Sequence, residues 1–390
     1  MTARPLLAVL ALLVGCLPAA CAAPPPLRLM APGSAVAPAV EVAADGVTRS
    51  VTLSVLTYNV EGLGWPARSG RAEDLRRIGE HIAALRTAGK APDVVLFQEV
   101  FSSAARKAIL ATGYPSIVPG PRRTTRHATI FGERLPGHAS IGRGELGIRL
   151  TGSGLVIASA YPTLLTHRQA YGRRSCAGID CLANKGIMLA RIAIPGVPVP
   201  IDLFDTHMNS RGASKAPLPR NLEAHARQAV EASAFIDRQH DDRYPIVFGG
   251  DFNMRHSAER WDNFTRYQPM ELVHRFCVSP QSGCDVRMSW DGDEPWVDTQ
   301  DLQFFESGDT VSIVPIRVEA LFDGGPAGPV LSDHDGFLVT YRLTWREGGE
   351  PASRISETRS EAAGVHRPSF SASTVNLAPR ISASPVGRAR

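Results

Sequence analysis

Residues 244–253 read YPIVFGGDFN, an apolar run that ends in two glycines, an aspartate and an asparagine. A short apolar run bounded by turn-forming residues is typical of a buried strand. We expect the two glycines to let the backbone turn tightly, so that the side chains of Asp251 and Asn253 point into one pocket. The stretch therefore predicts a strand whose carboxyl end carries polar side chains, which is where α/β folds assemble their sites.

Four other polar clusters stand in the same relation to an apolar run. They are residues 57–59 (TYN), 98–99 (QE), 205–209 (DTHMN) and 331–335 (LSDHD). Each cluster follows a predicted strand or precedes one. Together with residues 249–253 they place amide, carboxylate and imidazole groups at five strand ends.

The region between these clusters alternates short apolar runs with helical periodicity, which indicates an α/β class. Residues 75–85 and 222–236 repeat apolar side chains at helical spacing and predict two amphipathic helices. The apolar runs predict strands at residues 51–58, 93–98, 154–161, 186–194, 199–206, 245–250, 311–322 and 337–343.

The five clusters, in this order and at these intervals, resemble the signature of the endonuclease/exonuclease/phosphatase superfamily, the deoxyribonuclease I-like enzymes. The resemblance covers nearly all of residues 51–345. It implies a four-layer α/β sandwich, in which two packed mixed β-sheets are flanked by helices. It also implies a metal-dependent enzyme that hydrolyses a phosphoester bond by attack of water.

The chemistry of phosphodiester hydrolysis agrees with this resemblance. A phosphodiester anion repels hydroxide, so the reaction needs a hard cation held by carboxylate and amide oxygens. The resemblance implies that Asn59, Glu99 and Asp333 bind Mg²⁺, or another divalent cation such as Mn²⁺. It also implies that Asp251 and Asn253 orient the attacking water and the phosphate.

Two histidines carry the expected proton transfers. His207 resembles the family histidine that donates to the phosphate oxygens, with Asn209 beside it as a substrate-binding group. His334 resembles the general base, which needs a carboxylate partner to fix its tautomer. Asp301 matches the family aspartate in this role, but Asp298 lies three residues earlier, and the usual Arg-Ile-Asp-Tyr lead-in is absent. Both aspartates therefore remain alternatives.

The ends of the chain differ from its body. Residues 1–23 have the layout of a bacterial export signal, and residues 13–16 (LVGC) resemble a lipobox in which Cys16 is lipidated. We therefore expect a periplasmic protein, an outer-membrane lipoprotein or a secreted protein. Residues 24–50 predict a flexible Ala/Pro-rich spacer, residues 51–345 one catalytic domain, and residues 346–390 a disordered tail.

The four cysteines outside the leader form two close pairs. Cys176 and Cys181 are one pair, and Cys277 and Cys284 are the other. Export places both pairs in an oxidising compartment, so we expect two local disulfides. Neither pair has the CxxC spacing of zinc ligands, which disfavours a cysteine metal site.

The charge of the chain does not by itself indicate a nucleic-acid-binding protein. The formal net charge is +4, and the four arginines that follow the last acidic residue, Glu361, account for all of it. The remainder sums to zero, so there is no general electrostatic footprint for DNA. Local basic patches remain open as an alternative, since arginines cluster at residues 122–127 and 168–174.

The substrate has several alternatives. Residues 152–162 and 184–187 resemble the bacterial neutral sphingomyelinase-like branch, which implies a phospholipid substrate, contact with a membrane surface and a phosphate contact from Lys185. Trp290 and Trp296 are the expected membrane-contacting side chains, or else pack in the core. The arginine segments favour an extracellular endonuclease instead. An inositol-phosphate phosphatase and an inactive surface binding module are weaker alternatives, and no obligate protein partner is evident.

Overall fold

The computed structural model describes residues 23–65, 67–290, 294–325 and 328–348. The expected leader with Cys16, and nearly all of the expected tail, lie outside these residues. Fourteen strands are present in the described part of the chain: β1 (Glu41–Val42), β2 (Thr48–Asn59), β3 (Val94–Gln98), β4 (Ser116–Pro119), β5 (Val156–Ser159), β6 (Thr163–Ala170), β7 (Gly186–Ile192), β8 (Ile201–His207), β9 (Ile246–Asp251), β10 (Glu271–Leu272), β11 (Asp285–Arg287), β12 (Asp301–Glu306), β13 (Ser312–Leu321) and β14 (Gly336–Arg346).

Five α-helices lie between these strands: α1 (Arg71–Thr87), α2 (Ser103–Ala111), α3 (Leu218–Gln239), α4 (Ala258–Thr265) and α5 (Val273–Val278). The two helices that periodicity predicts correspond to α1 and α3. Helix α1 buries Leu75, Ile78 and Ile82 on one face, as the spacing requires. None of the helices in the described residues has the length and apolar character needed to cross a bilayer.

The strands form two mixed sheets. The first has the order β11-β13-β14-β2-β3-β5-β4, with β1 paired to β2, and the second has the order β10-β12-β9-β8-β7-β6. Within them β2 runs parallel to β3, and β8 runs parallel to β9. Both parallel pairs therefore end at the same edge of their sheet, where the polar clusters follow.

Three apolar cores join the layers. The largest lies between the sheets and includes Leu96 from the first and Leu203 from the second. A second core packs α1 and α2 on the first sheet, and a third packs α3 and α4 on the second, where Phe235 and Phe264 meet the strands. The four-layer α/β sandwich is therefore confirmed.

Residues 24–50 differ from the expected flexible spacer. The amide of Arg28 donates to the carbonyl of Ile117 at 2.9 Å, and the amide of Ile117 donates back at 2.8 Å. Strand β1 pairs with β2 further along the same segment. Strand β4 is the last strand of its sheet, and its outer backbone groups need partners. The segment supplies them, so part of it adds to the sheet.

Two substantial strands lie outside the predicted set. Strand β6 (Thr163–Ala170) lies at the edge of its sheet, and most of its residues are half-buried. Its sequence therefore shows little alternation of apolar and polar residues. Strand β12 (Asp301–Glu306) has a polar residue, Gln303, in its buried centre. The amide of Gln303 donates to the carbonyls of Val55 and Phe337, which satisfies it inside the sandwich.

Both expected disulfides form. Cys176 bonds to Cys181, and Cys277 bonds to Cys284, with Cα–Cα distances of 5.3 and 5.1 Å. The guanidinium of Arg149 donates to the sulfur of Cys176 at 3.1 Å and to the carbonyl of Cys181. The first disulfide therefore fixes the loop that precedes β7, close to the edge where the polar clusters lie.

Candidate active site

The polar clusters meet at one edge of the sandwich because of strand pairing. Asn59 ends β2, His207 ends β8, and Asp251 ends β9. Asp301 begins β12 and is the direct register partner of Asp251 in the antiparallel β9–β12 pair. A hydrogen bond of 3.0 Å from the Asn59 amide to the Asp251 carboxylate joins the two sheets at this edge. Side chains from distant parts of the chain therefore share one buried site.

Gly249 and Gly250 allow neighbouring strands to pack close to β9; they do not form the turn that the sequence predicts. Both lie inside β9. A Cβ on Gly249 would lie 2.5 Å from the side chain of Leu96 in the opposite sheet, and a Cβ on Gly250 would lie 2.1 Å from the carbonyl of Thr206. Gly250 also has a φ of +147°. Only glycine allows β9 to lie this close to its neighbours.

Glu99 is held in a strained backbone conformation at the end of β3, with a φ of +60°. Non-glycine residues adopt this region at an energetic cost, and such strain concentrates at functional sites. Burial raises the pKa of the Glu99 carboxyl, while Lys185, His334 and a hydrogen bond from Asn59 oppose this effect. The strand end thus presents a poorly solvated carboxylate that cationic groups stabilise.

The donor set of Asn59, Glu99 and Asp333 fits a hard divalent cation. Amide and carboxylate oxygens are the ligands such cations prefer, and Mg²⁺ binds through one or two carboxylates while keeping several waters. Within the described residues, no three His, Cys, Asp or Glu side chains converge as a complete metal cage. The carboxylate of Asp333 is about half exposed and lies 3.7 Å from Arg68. A cation here would therefore complete its shell with water or substrate.

His207 is buried beside Asp251 and Lys185. Its Nε2 lies 2.9 Å from Nζ of Lys185 and 3.4 Å from the Asp251 carboxylate. Burial lowers the pKa of His207 well below its ordinary value, and Lys185 and His334 act in the same direction. Burial and the neighbouring positive charge therefore both disfavour the charged ring. The other ring nitrogen, Nδ1, is buried and has no partner among the described residues.

The carboxyl of Asp251 is largely desolvated. Burial is the main cause that raises the pKa of Asp251 to about 7, and the negative charges of Asp301 and Glu99 add to it. His334 and Lys185 oppose the shift. One carboxylate oxygen of Asp251, Oδ2, accepts from the Asn59 side chain, and the other, Oδ1, accepts from the backbone amide of Asn253 at 3.0 Å.

Asn253 follows β9 in the left-handed region, with a φ of +55°. Its amide donates to the carbonyl of Met208 at 3.2 Å, which ties the loops after β8 and β9 together. Beneath it, the fully buried Arg260 donates to the carbonyls of Asn253 at 2.7 Å and Asn209 at 2.8 Å. No sequence pattern marks Arg260, since an arginine in a short helix ordinarily faces solvent.

His334 pairs with Asp301 and not with Asp298. Its Nδ1 lies 2.5 Å from the Asp301 carboxylate, and its Nε2 lies 3.3 Å from the Gln300 amide. Asp298 instead lies 3.4 Å from the exposed His256. Burial lowers the pKa of His334, but Asp301 outweighs it and, with Asp251, raises that pKa to about 11.

Lys185 and Asn209, the two residues expected to bind substrate, are both buried and already have hydrogen-bond partners in the protein. Lys185 is buried, and its Nζ donates to the Asp180 carboxylate at 3.0 Å and the Met208 carbonyl at 2.9 Å as well as contacting His207. Asn209 is also buried, and its side chain accepts from the Ala177 amide and donates to the Ser210 carbonyl. The backbone engages both ends of this amide, so Asn209 positions the loop between His207 and the first disulfide.

Two further polar residues belong to the site although the sequence assigned neither of them a role. Asp180, inside the first disulfide loop, pairs with Lys185 and also accepts from the Ser210 amide at 2.5 Å. The buried Asp205 accepts from the Gln98 amide at 2.8 Å across the two sheets. Burial raises the pKa of Asp205 well above its ordinary value, and its second oxygen has no partner among the described residues.

Of the two tryptophans expected at a membrane surface, Trp296 is buried, and Trp290 is half-buried and packs against the core. Trp296 is buried and lies against Trp261 in the core of the second sheet. Trp290 stacks on the buried His274, which in turn stacks on Phe337. A cavity of about 510 Å³ runs from His334 and Asp301 to Trp290. Trp290 therefore forms part of one wall of the cavity beside the candidate His334–Asp301 pair.

Comparisons with known proteins bear on the family and the fold. The model of the endonuclease/exonuclease/phosphatase family matches residues 56–303, which contain every expected catalytic, metal-binding and substrate-binding residue except Asp333 and His334. No curated protein sequence matches the chain.

Two solved structures show the same fold. Beta toxin from Staphylococcus aureus is 17% identical, with a TM-score of 0.50 over 75% of this chain and 99% of its own. SmcL is 17% identical, with a TM-score of 0.53 over 76% of this chain and 99% of its own. By the family match and the shared fold, the chain belongs to the endonuclease/exonuclease/phosphatase family, whose members are metal-dependent hydrolases of phosphoric esters.

Proposed function

We propose that the protein is an exported, Mg²⁺-dependent phosphodiesterase. The observation that carries this proposal is the pairing of Asp251 with Asp301 across β9 and β12, which brings two histidine–aspartate pairs to one edge of the sandwich. His207 stands beside Asp251, and His334 stands beside Asp301. The His207–Asp251 pair suits donation to a phosphate, and the His334–Asp301 pair suits activation of water.

When bound at Asn59, Glu99 and Asp333, the cation supplies a Lewis acid for the phosphate oxygens and neutralises the carboxylates around it. His207, with Asp251 and Lys185 beside it, is the donor to a phosphate oxygen in this proposal. Lys185 adds positive charge beside the His207 ring, where its ammonium group is held by Asp180.

His334 acts on the water. Against the effect of burial, the charges of Asp301, Asp251 and Asp333 raise the pKa of His334, and a cation bound beside Asp333 would offset part of that charge and favour the neutral ring that a base requires. In the neutral ring, Asp301 accepts from Nδ1 and so fixes the tautomer in which Nε2 is an acceptor. The Gln300 amide faces that Nε2 and is compatible with the same tautomer. Asp251 and Asn253, tied to each other by a backbone hydrogen bond, hold the water and phosphate in line.

Export and an oxidising environment are part of the proposal. The N-terminal sequence has the layout of an export signal, with or without lipidation at Cys16. The two disulfides are compatible with an extracellular or periplasmic site.

The first candidate substrate is a phospholipid such as sphingomyelin, by the resemblance of residues 152–162 and 184–187 to the sphingomyelinase-like branch. The second candidate is a nucleic acid. A specific observation favours it, since the two arginine segments that are separate in the sequence line one cavity.

The test uses the purified full chain with Mg²⁺ and four substrates: bis(p-nitrophenyl) phosphate, sphingomyelin vesicles, phosphatidylcholine vesicles and single-stranded DNA. The proposal predicts hydrolysis of the small diester, loss of that activity with EDTA, and loss in His334→Ala. Asp298→Asn is the matched control, because Asp298 pairs with His256 outside the two catalytic pairs. An enzyme that hydrolyses no diester with any divalent cation would contradict the proposal.

A further inference from the structure

A cavity of about 570 Å³ outside the catalytic cleft is lined by arginines from two segments. We call it the arginine cavity; its walls are residues 123–129 with Phe131, Arg173 and Arg174. The segments are joined by backbone pairing, since the Ala128 amide donates to the Ala170 carbonyl at 2.8 Å and the His127 ring contacts the Tyr171 carbonyl at 2.8 Å. The cavity is therefore a built feature of the fold.

The positive charge of this region is not compensated. In the part of the chain that the structure describes, no carboxylate forms an ion pair with Arg123, Arg126, Arg173 or Arg174. On β6, whose last residue, Ala170, accepts from the Ala128 amide, the half-buried Arg168 has two guanidinium nitrogens without a partner among the described residues. Burial, reinforced by the charge of Arg122, lowers the pKa of Arg168. Such a concentration of unpaired guanidinium groups favours an anion, and most of all a phosphate.

The arginine cavity is coupled to the catalytic site through Asn184 and Lys185. The Asn184 amide donates to the carbonyls of Arg122 at 2.8 Å and Thr125 at 3.3 Å, which holds the first arginine segment. The next residue, Lys185, contacts His207. On the other wall, the Tyr171 amide donates to the Lys185 carbonyl at 2.9 Å, and Arg173 lies two residues further, within about 7 Å along the backbone.

We propose that the arginine cavity binds a phosphate of the substrate other than the scissile one, and that the substrate is a nucleic acid strand. The proposal rests on the proposed phosphodiesterase activity and names its substrate class. A lipid with one phosphate has no second phosphate that could occupy the arginine cavity while the first is hydrolysed. A nucleic acid strand carries a phosphate at every nucleotide. Arginine contacts to flanking phosphates position a strand without reading its sequence.

The lining of the cavity favours a strand over a lipid surface. Its threonine hydroxyls, from Thr124, Thr125 and Thr129, are further phosphate donors. A membrane-contacting surface needs exposed apolar and aromatic side chains. The phenyl ring in the lining, Phe131, already lies 5.1 Å from the guanidinium of Arg227. A concave site also admits a flexible strand more readily than a flat bilayer.

The test compares Arg126→Ala/Arg174→Ala with Arg76→Ala/Arg77→Ala, a control that removes the same charge from the exposed face of α1. The first variant is expected to raise KM for a single-stranded 12-nucleotide DNA at least tenfold and to leave kcat/KM for bis(p-nitrophenyl) phosphate within twofold. The slope of log affinity against log salt should become shallower by about 0.7 for each phosphate that the variant no longer neutralises. The control should change neither the KM for DNA nor the kcat/KM for bis(p-nitrophenyl) phosphate. Circular dichroism melting checks that both variants fold.

Binding measured by fluorescence anisotropy in EDTA separates this proposal from the proposed activity. If the wild type and the control bind the 12-nucleotide DNA, Arg126→Ala/Arg174→Ala binds it at least tenfold more weakly, and none of them hydrolyses a diester, the proposed activity is wrong and the cavity proposal stands. If Arg126→Ala/Arg174→Ala behaves like the control towards DNA, the cavity proposal is overturned. It is also overturned if that variant loses affinity for phosphatidylglycerol vesicles and keeps its affinity for DNA, since the arginines then serve a lipid surface.

Discussion

Replacement of Asp301 by asparagine tests whether the His334–Asp301 pair drives catalysis. The buried Asp301 carboxylate accepts a 2.5 Å hydrogen bond from Nδ1 of His334. An asparagine of the same shape removes the charge and can present an N–H to Nδ1, which favours the opposite tautomer. That tautomer places a proton on Nε2, where the ring must accept one.

The size of the effect follows from the bond that the substitution removes. A hydrogen bond to a charged group contributes about 1.5–3 kcal/mol, and each 1.36 kcal/mol in the barrier is tenfold in rate, so kcat should fall by about 10- to 150-fold. The wrong tautomer adds to this loss, and its full effect reaches about 10⁴-fold in the serine-protease triad. We therefore expect a decrease of at least tenfold.

The assay is the initial rate of bis(p-nitrophenyl) phosphate hydrolysis with saturating Mg²⁺. Asp298→Asn is the matched control, and we expect its kcat to stay within about threefold, because its partner His256 is exposed. Equal losses in both variants, or a kcat for folded Asp301→Asn within threefold of the wild type, would refute the assignment of Asp301 as the partner of His334.

Three further predictions concern stability. Arg260→Met should lower the free energy of unfolding by about 3 kcal/mol or more in urea titration, because it leaves the carbonyls of Asn253 and Asn209 without a donor; a loss under 1 kcal/mol would contradict this. Gly250→Ala should unfold the protein or prevent soluble expression, since its Cβ would meet the Thr206 carbonyl at 2.1 Å, and a thermal melt equal to the wild type would exclude that packing. Burial raises the pKa of Glu231 to about 7, so the folded state binds the extra proton. The stability of the wild type relative to Glu231→Gln should therefore fall as pH rises from about 4.5 to 7, by on the order of 3 kcal/mol, and a flat difference would contradict it.

The fold could be predicted from the sequence where each strand carries its own apolar signal. Strands β2, β3, β8 and β9 fall close to their expected bounds because they are largely buried on both faces. The edge strand β6 carries no comparable signal, since solvent covers part of it. Residues 24–50 also carry none, because their pairing to β4 depends on a strand distant in sequence.

The candidate site divides in the same way. The sequence placed the polar clusters at strand ends and left Asp298 and Asp301 as alternatives for His334. Only the register of β9 against β12 decided between them, since it sets Asp301 opposite Asp251 and leaves Asp298 outside the strand, next to His256. The sequence pattern pointed to Gly249 and Gly250 as turn residues. The structure shows that glycine is needed there because neighbouring strands lie too close for a Cβ.

The sequence by itself determined the family, the order of the strands that carry the site and the types of side chain at their ends, because these depend on local patterns and ordered motifs. The tertiary structure decided which side chains meet. It joined two arginine segments into one cavity, buried Arg260 beneath two loops and turned Trp290 and Trp296 inwards. Such contacts join residues far apart in the chain, so the packing of the two sheets and their loops fixes them, and no local pattern records them.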